Sequence, residues 1–102
     1  MKNIVAVTAC PTGIAHTYMA ADLLRKGAQK LGIHIRVETQ GAMGIENQLS
    51  PQDIAQADLV LIVSDIEIEH TARFHGIPIS TASIESALTD ADQVLQDCLQ
   101  LC

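Results

Sequence analysis

The feature that most constrains this fold is a change of hydrophobic period at Cys10. Upstream, Ile4-Val5-Ala6-Val7 is continuously apolar and rich in β-branched residues, as in a strand buried on both faces. Downstream, Ile14, Met19, Ala20, Leu23, Leu24, Ala28 and Leu31 recur at helical spacing, so a helix is expected from Gly13 to Leu31 with Gly32 as its stop. A cysteine thus sits where a buried strand ends and a helix begins. Helix starts expose unpaired amides and the positive end of the macrodipole. That field favours a thiolate, and a phosphate bound beside or on it.

The rest of the chain continues the alternation. Ile33 to Thr39 reads as a strand with Ile33, Ile35 and Val37 on one face and His34, Arg36 and Glu38 on a more exposed one, which suggests an edge. Residues 40–44 read as a loop. Leu49-Ser-Pro-Gln-Asp-Ile54 is a helix start: Ser50 caps, Pro51 takes the first helical position, and Leu49 with Ile54 forms a hydrophobic staple. That helix is expected to end near Ala57. Leu59 to Val63 is a central strand, and Ile77-Pro-Ile-Ser80 a short edge strand marked by Pro78. Ile84, Leu88, Ala91, Leu95, Cys98 and Leu99 give a last helical face, with a break at Thr89-Asp90. The order β-α-β-α-β-β-α predicts right-handed crossovers and a parallel sheet covered on both faces. In such sheets ligands bind beyond the carboxyl ends of the strands, where the Cys10 loop lies.

At 102 residues the chain is expected to form one domain, and its 48% hydrophobic content is that of a globular protein. With one Tyr, one Phe and no Trp, it lacks the rings on which bases stack. The net charge of -6 disfavours nucleic acid and anionic lipid, and suits a partner with a basic rim. Met1-Lys2-Asn3 runs straight into the first strand, so no signal peptide is expected. The longest apolar run, residues 59–63, is far too short to span a bilayer. Three cysteines without C-x-x-C spacing read as cytosolic thiols rather than a disulfide framework. Cys98 and Cys102 share a helical face, but they have no second pair of ligands and read as core filler and a terminal thiol. His70 and His75, with Glu67 and Glu69, are irregularly spaced; no metal site is expected. Arg73 reads as a partner for a nearby carboxylate or as a residue that helps position the strand-end loops, with the structural role preferred.

Cys10 to Thr17 carries the chemistry. Pro11 biases Cys10 to an extended conformation, so the strand direction persists through the cysteine before the chain turns. The amides of Thr12, Gly13, Ile14, Ala15, His16 and Thr17 can then converge on one anion, with hydroxyl donors from Thr12 and Thr17. There is no G-x-x-x-x-G-K-S/T and no G-x-G-x-x-G, so neither ATP nor a dinucleotide is implied and no cofactor is expected. The loop resembles that of cysteine-dependent phosphotyrosine phosphatases, except that His16 stands where those enzymes carry the arginine that grips the phosphoryl group. A phosphocysteine formed here would hydrolyse slowly, which suits a carrier better than a hydrolase.

Cys10-Pro-Thr-Gly-Ile-Ala-His-Thr17 with Met19-Ala20-Ala21, Val37-Glu-Thr-Gln-Gly41 with Gly44-Ile-Glu-Asn47, and Arg73-Phe74 with Gly76 and Pro78 together resemble the IIB component of the fructose-type sugar phosphotransferase system. The resemblance covers nearly the whole chain, weakening after about Ser86. It implies a single fructose-like IIB domain over residues 1–102, a three-layer α/β/α fold with a four-stranded parallel sheet flanked by three helices. It also implies a phosphoryl relay. A phosphohistidine on a IIA protein or domain donates to Cys10, and the phosphocysteine donates to a sugar held by the membrane transporter IIC. The loop from Thr12 to Thr17 would hold the phosphoryl oxygens. Such a protein works in the cytoplasm, peripheral to the inner membrane through its transporter. Family members often carry Glu before the Arg-Phe pair, where this chain has Ala72, and the stretch 65–70 is more acidic than is usual. Both differences bear on partner and sugar preference. A small cysteine phosphatase and a noncatalytic anion-sensing module are the other readings of the same loop.

Overall fold

A computed structural model describes residues 2–10, 15–42 and 44–101. Strand β1 (Asn3–Ala9) leads to helix α1 (Ala15–Leu31), then to β2 (His34–Gly41), β3 (Gly44–Glu46), α2 (Pro51–Ala55), β4 (Leu59–Ser64), β5 (Ile79–Ala82) and α3 (Ile84–Leu99). A 3-10 turn over Thr71–Phe74 lies between β4 and β5. The sheet has five strands in the order β3-β2-β1-β4-β5. β1 pairs in parallel with β2 on one side and β4 on the other, and β4 pairs in parallel with β5.

The expected parallel α/β architecture is therefore present, with the strand count corrected from four to five. The added strand is β3, which pairs antiparallel with the end of β2 through Thr39–Glu46, Gln40–Ile45 and Gly41–Gly44. It falls partly in the segment expected to be loop. Three residues are too few to show a period in sequence, and two of the three are Gly and Glu, which strands disfavour. β2 thus has a short strand outside it and is not the edge.

α1 and α3 cover one face of the sheet. Their Ala20, Ala21, Leu24, Ala28, Ala87, Val94 and Leu95 pack on Ile4, Ala6, Val37, Leu59, Leu61 and Val63 in one aliphatic cluster. α1 stops where expected: Gly32 takes a left-handed φ of 72°, and Ile33 N–H donates back to the Ala28 carbonyl at 2.9 Å. α3 is broken at Asp90, whose φ of -155° and ψ of 77° are not helical. The opposite face is covered by the five-residue α2 and by loops, around Val5, Val7, Ala9, Leu49, Val60, Ile68 and Phe74. α2 begins with a reciprocal capping box. Ser50 Oγ accepts the Asp53 amide at 3.0 Å, and Asp53 Oδ2 accepts the Ser50 amide at 3.0 Å. The edge strand β5 starts two residues later than the sequence suggested, after Pro78, whose carbonyl accepts the Val60 amide.

Candidate functional site

β1 is the middle strand, and the chain leaves it for β2 on one side and reaches β4 on the other. Its carboxyl end is therefore the switch point of the sheet, where diverging crossovers leave a crevice. Cys10, half-buried, directly follows β1 and packs against the α1–α3 cluster. It opens on a cleft of about 320 Å³. The walls are the ends of β1 and β2 (Ala9, Cys10, Gln40, Gly41), the β2–β3 hairpin (Ala42, Gly44, Ile45) and the loop after β4 (Ile66, Glu67, Glu69). A half-buried sulfur at the mouth of such a cleft can meet a group presented from outside while the sheet holds its backbone.

Of the sequence-predicted loop residues, Thr12, Gly13 and Ile14 lie outside the described residues. Ala15 is the first residue of α1, and Ala15 and His16 are exposed. Thr17 is buried at 1% exposure, and its carbonyl accepts a hydrogen bond from Thr8 Oγ1 at 3.1 Å. That bond ties the first turn of α1 to the end of β1, on either side of Cys10. One residue further, the Tyr18 hydroxyl donates to the Glu46 carboxylate of β3, linking α1 to the hairpin. The hydrogen bond to Glu46, helped by that carboxylate's charge, holds the Tyr18 phenol above its ordinary value. Cys98 is fully buried in α3, as core filler should be, and Cys102 lies outside the described residues. Among the described residues no cluster of His, Cys, Asp and Glu could hold a metal ion.

The sequence misread Glu38. Strand alternation placed it on the more exposed face of β2, yet it is 0% exposed. Its carboxylate accepts four hydrogen bonds. Oε1 receives the Leu49 amide at 2.9 Å and Arg73 Nη1 at 2.8 Å; Oε2 receives Gln40 Nε2 at 2.8 Å and Arg73 Nη2 at 2.6 Å. That fills the acceptor capacity of an ionised carboxylate. Burial pushes the Glu38 carboxyl up. The hydrogen bonds from Arg73, Gln40 and Leu49, together with the Arg73 charge, outweigh burial and hold it below the ordinary glutamate value. The expected role of Arg73 as a carboxylate's partner is borne out, as a two-pronged pair with a residue 35 positions away. The guanidinium also lies 4.6 Å from the centre of the Phe74 ring. Nothing local in the sequence marks Glu38 as buried; once it is, Gln40, two residues on along the strand, falls on the same face.

Gln40 extends this network to the cleft wall. Its Oε1 accepts the Glu69 amide at 2.9 Å, and its Nε2 donates to the Glu69 carbonyl at 3.2 Å. The side-chain amide pairs with Glu69 as a neighbouring strand would.

Comparison with known proteins places this architecture. The family model described as "PTS system, Lactose/Cellobiose specific IIB subunit" matches residues 5–97. The "PTS system fructose-like EIIB component 2" of Escherichia coli is 46% identical over 95 residues, covering 93% of this chain and 90% of that protein. The "PTS system fructose-specific EIIB'BC component" of Xanthomonas campestris is 45% identical over 98 residues, covering 96% of this chain and 17% of that much longer one. Among solved structures, a domain of the fructose-specific IIABC component of Borrelia burgdorferi superposes with a TM-score of 0.91 at 40% identity, covering 97% of this chain and 94% of that one. Sequence and fold agree over nearly the whole length, and the chain belongs to the IIB family of the sugar phosphotransferase system.

Proposed function

We propose that this chain is a single IIB domain that carries a phosphoryl group on Cys10 during uptake of fructose or a fructose-like sugar. The Cys10 thiolate attacks the phosphorus of a phosphohistidine on a IIA partner. The S–P bond forms as the N–P bond breaks, and the imidazole nitrogen keeps the electron pair. A sugar hydroxyl held by the membrane transporter IIC then attacks the phosphocysteine. The O–P bond forms, sulfur leaves as thiolate, and the hydroxyl proton passes to water. The phosphorylated side chain carries about -1.5 to -2 charges at neutral pH. We assign the holding of its oxygens to the amides of residues 12–17, of which Ala15, His16 and Thr17 open α1.

The observation that carries this reading is the position of Cys10, half-buried at the switch point of the sheet and open to the cleft. The relatives' names support a fructose-like sugar over the lactose and cellobiose of the family description, because the 46% identity spans 93% of the chain. The fused relative, whose name joins B and C components, supports a IIC transporter as acceptor. No helix of the described residues is long and apolar enough to cross a membrane, which suits a domain that docks on the cytoplasmic side of its transporter.

Incubation with a phosphorylated fructose-type IIA, followed by intact-mass measurement, tests the proposal. A single phosphoryl gain that maps to Cys10 and is absent in Cys10→Ser is expected. No gain from a donor that phosphorylates another IIB would overturn it.

A further inference from the structure

We propose that Gln40, Glu38 and Arg73 are positioning residues: they set the loop after β4 as a wall of the Cys10 cleft, and phosphoryl transfer depends on where that wall stands. The inference rests on the carrier reading above.

Three observations lead to it. First, the network ties the end of β2 to three other positions in the chain. Glu38 binds the Leu49 amide ahead of α2 and Arg73 in the 3-10 turn, while Gln40 binds the Glu69 backbone. Second, two of these anchors sit beside residues in left-handed conformations. His70 has a φ of 63° and lies between the Glu69 anchor and Arg73; Asn47 has a φ of 52° and lies two residues before Leu49. Left-handed backbone costs Asn and His less than most residues but is still the minority conformation, and it persists where the surroundings hold it. The bonds to Leu49, Glu69 and Arg73 hold the chain on either side of these residues. Third, Gln40 itself lines the cleft with Cys10, as do Ile66, Glu67 and Glu69. A shift of Gln40 therefore moves the wall relative to the sulfur.

The orientation of the Gln40 amide is fixed by its partners. Turned over, its oxygen would face the Glu38 carboxylate and the Glu69 carbonyl, and its NH2 would face the Glu69 N–H. A buried charge pair of this kind is weak evidence for stability as such, since apolar replacements often do as well. Its geometric content is greater: a planar fork on a fully bonded carboxylate admits one arrangement.

Gln40→Met keeps the length of the side chain and removes both bonds to Glu69 and the one to Glu38, leaving Glu38 joined to Arg73 and Leu49. Two readouts are taken on the 102-residue chain. Amide exchange at residues 66–70 should quicken by about tenfold, while exchange in α1 and α3 is unchanged. With phosphorylated IIA as donor, the saturating rate of Cys10 phosphorylation should fall by about tenfold or more, because misplacement near a reacting centre acts on the transition state. The half-saturating donor concentration should change much less. Arg73→Lys, which keeps the charge and loses the fork, should move both readouts in the same direction by less.

A folded Gln40→Met with wild-type exchange at 66–70, or with loosened exchange and a wild-type saturating rate, overturns the proposal. If Gln40→Met does not fold, Arg73→Lys decides by the same two criteria. A wild-type protein that takes no phosphoryl group from a competent donor overturns the carrier reading, and this inference with it. The wild-type control thus separates the two failures.

Discussion

The two faces of the sheet are built on different principles. The face under α1 and α3 is mainly aliphatic: among the described residues sixteen buried apolar side chains form one cluster drawn from two long helices and three strands, with Thr8 and Thr17 the buried polar pair between β1 and α1. The opposite face has, among the described residues, a smaller apolar cluster of seven buried side chains, one five-residue helix, and long stretches of loop. Loops cannot satisfy their own backbone groups, and a buried loop needs polar partners. Here the partner is a carboxylate. Glu38 and Gln40 occupy the end of β2 and hold the backbones at Leu49 and Glu69. One face is held by packing and the other by a polar hub, and the hub is the part that borders the Cys10 cleft.

Breaking each face should give large losses with different remedies. Arg73→Ala leaves a buried carboxylate without its counter-charge and should cost about 3–5 kcal/mol in urea unfolding at neutral pH. Leu61→Ala, at a fully buried site on the aliphatic face, should cost about 2–5 kcal/mol. Glu38→Met with Arg73→Met removes both charges together and should lose far less than Arg73→Ala. No second change remote from the cavity restores Leu61→Ala. If the double Met variant is as unstable as Arg73→Ala, the loop face depends on the ion pair itself.

Acid should separate the faces next. The Glu38 carboxyl is held below its ordinary value, about 4.5, in the folded protein. The stability it contributes is then fully present above the unfolded value and is lost as pH falls through the folded one. Asp53 is also lowered, first by the Ser50 amide and the Ser50 side chain and further by Arg36 and His34, so its contribution follows the same sign. Both carboxylates belong to the loop face, whereas the carboxylate that links α1 to α3, Asp92 paired with Lys30, is half-exposed and its pair with an exposed lysine contributes little. Below about pH 4.5, amide exchange at Leu49 and Glu69 should lose protection before that of α1 and α3. Simultaneous loss at both faces would mean that they do not unfold separately.

The same contrast explains what could be read from sequence. The aliphatic face was legible because packing writes a period: the helical spacing of α1, the apolar runs of β1 and β4, and the stop signal at Gly32 all led to the elements observed, while on the opposite face the Ser50 cap marked only the start of α2. The expected break at Thr89-Asp90 falls where the backbone leaves helical geometry, at Asp90. Glu38 was not, because a charged residue in an alternating strand is ordinarily solvated. Its burial depends on Arg73, Leu49 and Gln40 arriving from separate segments, and no local pattern records such a meeting. β3 escaped for a related reason, since its pairing is supplied by β2 rather than by its own composition. At the cleft, the Cys10 position followed from the strand-to-helix switch, whereas the walls from the hairpin and from residues 66–69 came only with the tertiary fold.

The smallest predicted effect tests how tight the aliphatic face is. Gly27 lies in α1 against α3, and a Cβ there would come within 2.8 Å of both Leu95 Cδ1 and Asp92 Oδ1. Asp92 is half-exposed and can swing aside from its pair with Lys30, but Leu95 is fully buried and has nowhere to go. Gly27→Ala gains about 1 kcal/mol in helix propensity. Against that stands an overpacking cost of about 1–3 kcal/mol, because a close-packed interior has no slack. The net expectation is a loss of about 1 kcal/mol in the urea midpoint analysis. Leu95→Ala vacates the space the new methyl needs, so the double variant should be more stable than the sum of the two single effects. Strict additivity, or a net gain for Gly27→Ala alone, would mean that α1 and α3 can separate slightly at little cost. The aliphatic face would then be the more compliant of the two, the reverse of what its composition suggests.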